Sequence, residues 1–329
     1  MCLFLINIYY MRVKFWGVRG SIPSPINNDQ IKSKIVNALL AAGRSGVDLS
    51  MPEIVEKFVE NLPFSSRGTY GSNTACLEVR TDNDYPVLLD CGSGFRPLGL
   101  ELMKGPFGRG LGEAHILVSH FHWDHLQGWP FFVPHFIKGN KFHVRAGLPD
   151  IRDALEKQQN PPFFPVPLNF MSSTIDYGVI TEDEKIILPD AEISTIKLYH
   201  PGDCYAYRIE SNGKSVVYAT DSEFSSDGTH FVEKCVNFMS GADVLVMDAQ
   251  YTFSESQQKL DWGHSSASTA IDIATEAGVG TLVLFHHEPT YDDAKIDQIA
   301  EESRDYLEMI GAEDDLNIVV AQEGLELTL

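Results

Sequence analysis

Apolar and polar positions alternate over Arg12–Val18 (RVKFWGV), and Gly17, Gly20, Pro23 and Pro25 interrupt the pattern toward and beyond its end, so the segment reads as a strand running into turns. Further strand patterns fall at 75–80, 86–90, 115–119, 141–146, 192–199, 204–210, 215–220, 243–248 and 281–285. Helix-period patterns fall at 29–42, 52–61, 95–104, 150–158, 229–239, 266–277 and 292–310, with Pro52 suited to the first turn of its helix. The order predicts an α/β protein with two sheets packed face to face and helices outside. Residues 24–66 read as a helical insertion, because about 40 residues make a poor core of their own. The Pro- and Phe-rich stretch 159–169 reads as a stiffened loop, either surface or lid.

Composition narrows the picture. The 329 residues are 43% apolar and 22% charged, an ordinary globular balance. The 25 Lys and Arg face 46 Asp and Glu, a net charge of −21, which disfavours a protein that grips a nucleic-acid backbone or an anionic membrane. Five cysteines without a CxxC pair fit a reducing compartment, so a cytoplasmic location is expected. No apolar run reaches the length of a membrane span. The opening MCLFLINIYY is short and lacks a basic start and a cleavage site, and Met11 opens the first strand pattern. Residues 1–10 are therefore expected to be a leader, and 11–329 one domain.

The chemical signal is concentrated in His120-Phe121-His122-Trp123-Asp124-His125, directly after the apolar run Ile116-Leu117-Val118. Extended backbone puts His120 and His122 on one side. Imidazole and carboxylate donors at this density suit Zn²⁺, Mn²⁺ or Fe²⁺. His200, Asp221 and the pair His286-His287 each close a later strand pattern, so further donors stand at strand ends.

With these residues in view, the sequence resembles the metallo-β-lactamase-fold hydrolases. Gly17-Val18-Arg19-Gly20-Ser21-Ile22-Pro23, Tyr70-Gly71-Ser72-Asn73-Thr74, Leu89-Asp90-Cys91-Gly92-Ser93-Gly94, Trp262-Gly263-His264-Ser265 and Leu284-Phe285-His286-His287-Glu288-Pro289 carry the resemblance over nearly the whole chain from Met11. The combination is similar to the phosphodiesterase branch, which includes tRNA 3′-processing endonucleases and cyclic phosphodiesterases. The resemblance implies an αββα four-layer sandwich, two mixed sheets flanked by helices. It implies that His120, His122 and His200 hold one divalent ion, that Asp124, His125 and His286 hold a second, and that Asp221 bridges them. Asp90 would support the ligand loop, and a homodimer would be common.

Two divalent cations, Zn²⁺ foremost, activate a water and clamp a phosphoryl oxygen. Asp124, Asp248 and His264 are the candidate catalytic residues: in the resembling branch a carboxylate orients a Gly-His-Ser histidine that protonates the leaving oxygen. The expected function is hydrolysis of a small anionic phosphodiester, a cyclic nucleotide among the candidates. A thioesterase or lactamase of the same fold and an RNA-processing endonuclease are the alternatives. Polymeric nucleic acid is disfavoured by the acidic charge and by the lack of a basic arm. Arg19, Arg67 and Arg96, near the glycine motifs, are candidates for a phosphate clamp. Trp123, Trp129, Phe131, Phe132, Phe136, Phe163 and Phe164 are either core or a base-stacking pocket.

Overall fold

The computed structural model describes residues 10–224 and 228–329. The expected leader therefore lies outside the described residues except for Tyr10. Two seven-stranded sheets organise the chain. The first is built from β1 (Arg12–Gly17), β2 (Cys76–Arg80), β3 (Pro86–Leu89), β4 (Glu113–Val118), β5 (Lys141–Ala146) and β6 (Thr174–Val179). The second holds β7 (Ile186–Ile187), β8 (Glu192–Leu198), β9 (Cys204–Ser211), β10 (Lys214–Ala219), β11 (Val244–Asp248), β12 (Thr281–Phe285) and β13 (Asn317–Val320). The last strand, β14 (Glu326–Thr328), returns to the edge of the first sheet beside β1.

Both sheets are mixed, as expected. In the first, β14, β1, β2 and β3 run antiparallel and β3 to β6 parallel. In the second, β10 to β13 run parallel and β7 to β10 antiparallel. The parallel parts demand helical crossovers and cover on the outer faces. The crossover helices are α3 (Phe95–Leu102), α4 (Ile151–Gln158), α5 (Gly228–Met239), α6 (Ala267–Glu276) and α7 (Asp293–Ile310), while α1 (Asn28–Ser45) and α2 (Pro52–Glu60) lie between the antiparallel strands β1 and β2.

Three apolar clusters correspond to the layers. Phe15, Leu77, Leu89, Tyr207, Val216, Tyr218, Val246 and Phe285 meet between the sheets. Phe95, Leu98, Trp129, Phe142 and Leu155 fill the outer face of the first sheet. Met239, Leu245, Ile271, Leu282 and Leu307 fill that of the second. This is the four-layer sandwich the sequence suggests. Near-continuous burial of β4, β10, β11 and β12 explains their apolar runs. Trp129, Phe132 and Phe95 are core, with Phe95 and Phe132 stacked at 3.9 Å. Of the aromatic residues read as either core or pocket, Trp129 and Phe132 thus fall to the core.

The strands and helices expected from the pattern form, with only their ends shifted. Within 24–66, α1 starts at an Asn27 capping box and ends at Gly46, while Ile35, Leu39 and Leu40 stay in water. Lys34 ties α1 to the body through Asp293 at 2.7 Å. Residues 159–169 are mainly bends and turns, with Phe163 exposed and Phe164 edge-on to Phe131 at 5.5 Å. The described cysteines, 76, 91, 204 and 235, are buried and free. Among the described residues no helix is long and apolar enough to cross a membrane.

Candidate metal centre

Strands β4, β8, β10 and β12 deliver the donors, because His120, His200, Asp221 and His286 stand one or two residues beyond their ends. His120 follows β4, and the chain then turns through Trp123–Leu126, a helical turn that carries Asp124 and His125 back toward it. Asp221 follows β10 at φ 32° and His286 follows β12 at φ 63°. Such positive φ values cost energy in non-glycine residues and persist where surrounding structure over-determines them.

The seven groups converge. His120, His122, His200 and Asp221 form one cluster of donor atoms suited to an ion, and Asp124, His125, Asp221 and His286 a second. Asp221 belongs to both. Its Oδ2 lies 3.6 Å from His120 Nε2 and 3.8 Å from His200 Nε2. Its Oδ1 lies 3.3 Å from both His125 Nε2 and His286 Nε2. Asp124 Oδ2 is 3.2 Å from His125 Nε2 and from His286 Nε2. His122 Nδ1 sits 3.1 Å from His200 Nε2.

Four of the five imidazoles, all but His122, are aimed by the hydrogen bond at the other nitrogen. His125 Nδ1 lies 2.7 Å from Asp90 Oδ2, His120 Nδ1 3.0 Å from Ser119 Oγ, His200 Nδ1 2.8 Å from the Gly263 carbonyl, and His286 Nδ1 3.2 Å from Gln250 Oε1. Asp90 also accepts from Ser119 N, Ser119 Oγ and Tyr218 Oη, each at 2.7 Å. The Ser21 amide donates to Asp124 Oδ2 at 2.7 Å. His287, by contrast, faces away, and its Nε2 donates to the Ala321 carbonyl, 2.8 Å distant.

Divalent cations fit this set. His120 Nε2 and His125 Nε2 are buried and have no hydrogen-bond partner, an arrangement that costs stability unless something else satisfies them. Burial keeps His120, His122 and His200 below the ordinary imidazole pKa, hence neutral and ready to donate a lone pair. Burial also opposes charge on His125, but Asp124, Asp221 and Asp90 override it and hold that ring well above its ordinary value. An ion held by the second cluster would need His125 deprotonated and would take the place of its proton.

Likeness to known proteins extends over most of the chain. The model of the beta-lactamase superfamily domain matches residues 85–287, a span that includes all the donors of both clusters. The chain belongs to the beta-lactamase superfamily. It is 26% identical over 296 residues to ribonuclease Z of Haloarcula marismortui, a match spanning 77% of this chain and 90% of that protein. The crystal structure of the metallo-beta-lactamase fold protein YhfI from Bacillus subtilis superposes with TM-score 0.62 at 18% identity, covering 96% of this chain and 98% of that one. Unliganded yeast PDE1 superposes with TM-score 0.63 at 14% identity, covering 98% and 100%.

Within this superfamily fold, a second pair of side chains adjoins the metal centre. Asp248 ends β11, and its Oδ2 lies 2.8 Å from His264 Nδ1. The amides of Ser222 and Gln250 donate to the same carboxylate at 3.2 and 3.0 Å. The His264 ring stacks 5.2 Å from that of His286. Burial would lower the His264 pKa, but the Asp248 charge and hydrogen bond dominate and raise it to about 9. Ser266, not His264, caps α6, accepting from the Thr269 amide at 3.2 Å.

Of the three arginines, Arg19 is committed elsewhere. Arg19 is buried, and its guanidinium is consumed by the carbonyls of Gly71, Glu288 and Tyr291, with Asp293 at 3.9 Å. Its role is to tie the β1 exit to the loop after β12, so the phosphate-clamp expectation is corrected there. Arg67 is exposed and lies over the Phe64 ring at 5.1 Å. Arg96 is exposed on α3. Sequence reasoning also missed Ser119, Tyr218, Ser21 and Gln250, the partners that aim the donors. Ser21 lay inside a quoted motif, but nothing in a motif says that its amide, rather than its hydroxyl, does the work.

Proposed function

We propose that this hydrolase is a dinuclear phosphodiesterase for a small anionic diester. The observation that carries the reading is the Asp248–His264 contact at 2.8 Å, beside the donor His286. Two divalent ions, Zn²⁺ first and Mn²⁺ or Fe²⁺ next, would be held by His120, His122 and His200 and by Asp124, His125 and His286, with Asp221 common to both. Bound there, they supply Lewis acidity toward a phosphoryl oxygen and lower the pKa of a water. The chain's own residues do the rest. Asp248 orients His264 and keeps it protonated near neutral pH, so His264 Nε2 can give a proton to a departing alkoxide. Asp124, fixed by the Ser21 amide, holds its carboxylate against His125 and His286. An alkoxide needs that proton; a thiolate leaving group does not, which favours a diester over a thioester.

A second reading is RNA processing. The ribonuclease Z relative shares 26% identity over 90% of its own length. That likeness removes the ground on which charge alone disfavours polymeric nucleic acid. A metal-reconstituted assay decides among the readings. It compares bis-p-nitrophenyl phosphate, cyclic nucleotides, a precursor tRNA with a 3′ trailer, a lactam and a thioester. The small diesters are expected to turn over fastest, and His264→Ala is expected to lower kcat for the cyclic nucleotides, whose leaving group is an alkoxide, by about 10²–10⁴ with metal content retained, and to affect bis-p-nitrophenyl phosphate much less. Preference for the precursor tRNA would select the second reading. Preference for the lactam or thioester would reject both.

A further inference from the structure

Two tryptophans stand in water beside the donors of the metal centre. Trp123 is 80% exposed and Trp262 60%. Exposure of this extent rules out a packing role, since an indole left in water forgoes one of the largest burial gains a side chain offers. The contrast within the chain is direct: Trp129 is fully buried, and Trp16 donates its Nε1 to Glu78 at 3.2 Å.

Their positions are linked through one imidazole. Trp123 lies between His122 and Asp124, and Trp262 directly precedes Gly263-His264. His200 touches His122 Nδ1 with its Nε2 at 3.1 Å and the Gly263 carbonyl with its Nδ1 at 2.8 Å. The two exposed indoles are thus chain neighbours of the two groups that contact the two nitrogens of His200. The backbone beside Trp262 is not free to drift. Gly263 has φ 81°, and a Cβ there would stand 2.3 Å from His200 Nδ1.

A cation stands next to one of them. Lys259 Nζ lies 5.7 Å from the Trp262 ring centroid and 3.9 Å from that of Tyr251. Tyr251 meets the His264 ring edge-on at 5.8 Å. Glu255 is the acidic neighbour that feels Lys259, and it already accepts from Thr252 and Tyr291. In a chain of net charge −21, positive charge at this place is a distinguishing feature.

We infer that Trp123 and Trp262 form an aromatic rim that stacks the base of a nucleoside phosphodiester, with Lys259 adding positive charge for its phosphate. This inference rests on the phosphodiesterase reading and narrows it from small diesters in general to those that carry a nucleobase. Every base has a π-face, so the rim prefers nucleosides over aliphatic groups and discriminates weakly among bases.

Two chromogenic esters with one leaving group test it: thymidine 5′-(p-nitrophenyl phosphate) and methyl p-nitrophenyl phosphate. The metal-loaded protein is expected to favour the nucleoside ester in kcat/KM. Trp123→Leu and Trp262→Leu, at metal content equal to the unaltered protein, are expected to lower that preference roughly 5- to 100-fold, through KM for the nucleoside ester. Lys259→Met is expected to raise KM for both esters. Thymidine 5′-monophosphate is expected to quench tryptophan fluorescence in the unaltered protein and not in the doubly substituted one. If both tryptophan variants keep the original preference, the inference is overturned, while turnover of the methyl ester leaves the phosphodiesterase reading standing. If the metal-loaded protein cleaves neither ester, both fall together.

Discussion

Asp90 concentrates much of what aims the metal centre. It accepts from the Ser119 amide and hydroxyl and from Tyr218, and its Oδ2 meets His125 Nδ1, all at 2.7 Å. Strand β3 delivers it at φ 60°, where the chain leaves the sheet. Asp90→Asn replaces one acceptor oxygen by a donor, so at least one of these partners loses its acceptor. The variant is expected to fold and to bind metal about 10- to 100-fold more weakly, read by titration against a competing chelator. Asp248 has the corresponding role for His264. It raises the histidine to about 9, so the proton is in place below that pH and is lost above it. Asp248→Asn removes the raising influence. The alkaline limb of the pH–kcat/KM profile is expected to move to lower pH, and an unmoved limb would deny His264 the role of acid. At this scale much was legible. The donor types and their strand-end places stand in the sequence, and so does Asp90. The arginines misled because proximity to a glycine motif says nothing of direction, and the interior carbonyls of Glu288 and Tyr291 claim Arg19.

At the scale of elements, the site depends on how closely loops approach one another. The loop after β1 and the segment before α6 each bring a glycine against a donor ring. A Cβ on Gly20 would meet the His286 ring at 2.6 Å, and one on Gly263 would meet His200 Nδ1 at 2.3 Å. Backbone held at φ 81° adds strain for any other residue at position 263. Gly263→Ala is expected to displace His200 and cut bound metal at the first cluster, measured by elemental analysis, with the circular dichroism of the fold retained. Long strands with buried runs were readable for the same reason that they are central: both faces demand apolar side chains. The edges were not. Strand β6 (TIDYGV) is half-exposed, β7 has two residues, and β13 and β14 have four and three. Such short or polar segments carry too little periodicity, and their pairing comes from neighbours distant in sequence, as β14 with β1.

For the whole molecule, acid is the natural stress. His135 is enclosed by Trp129, Phe132 and Phe142, and burial lowers its pKa to about 3. Burial, with the charge of Arg19 second, takes His287 to about 3, and burial with His143 takes His115 to about 4. These rings are neutral in the folded chain and titrate near 6.5 when unfolded. Between those values the unfolded chain binds more protons at these three positions, so their contribution to stability falls as pH drops from about 6.5 toward 3–4 and is constant above 6.5. His135→Leu is expected to flatten that slope, measured by urea unfolding of chelator-treated protein between pH 8 and 5. The layered architecture was legible because its apolar runs and helix periods alternate along the chain. The convergence of His120, His200, Asp221 and His286 was legible only through the family resemblance, because strand register and sheet packing bring them together across 167 positions. Anomalous diffraction from crystals grown with Zn²⁺ tests the central claim most directly. Two peaks are expected, one within about 2.0–2.2 Å of His120, His122 and His200, the other equally near Asp124, His125 and His286, with Asp221 reaching both. A metal-soaked crystal with these seven groups in place and no peak among them would contradict it.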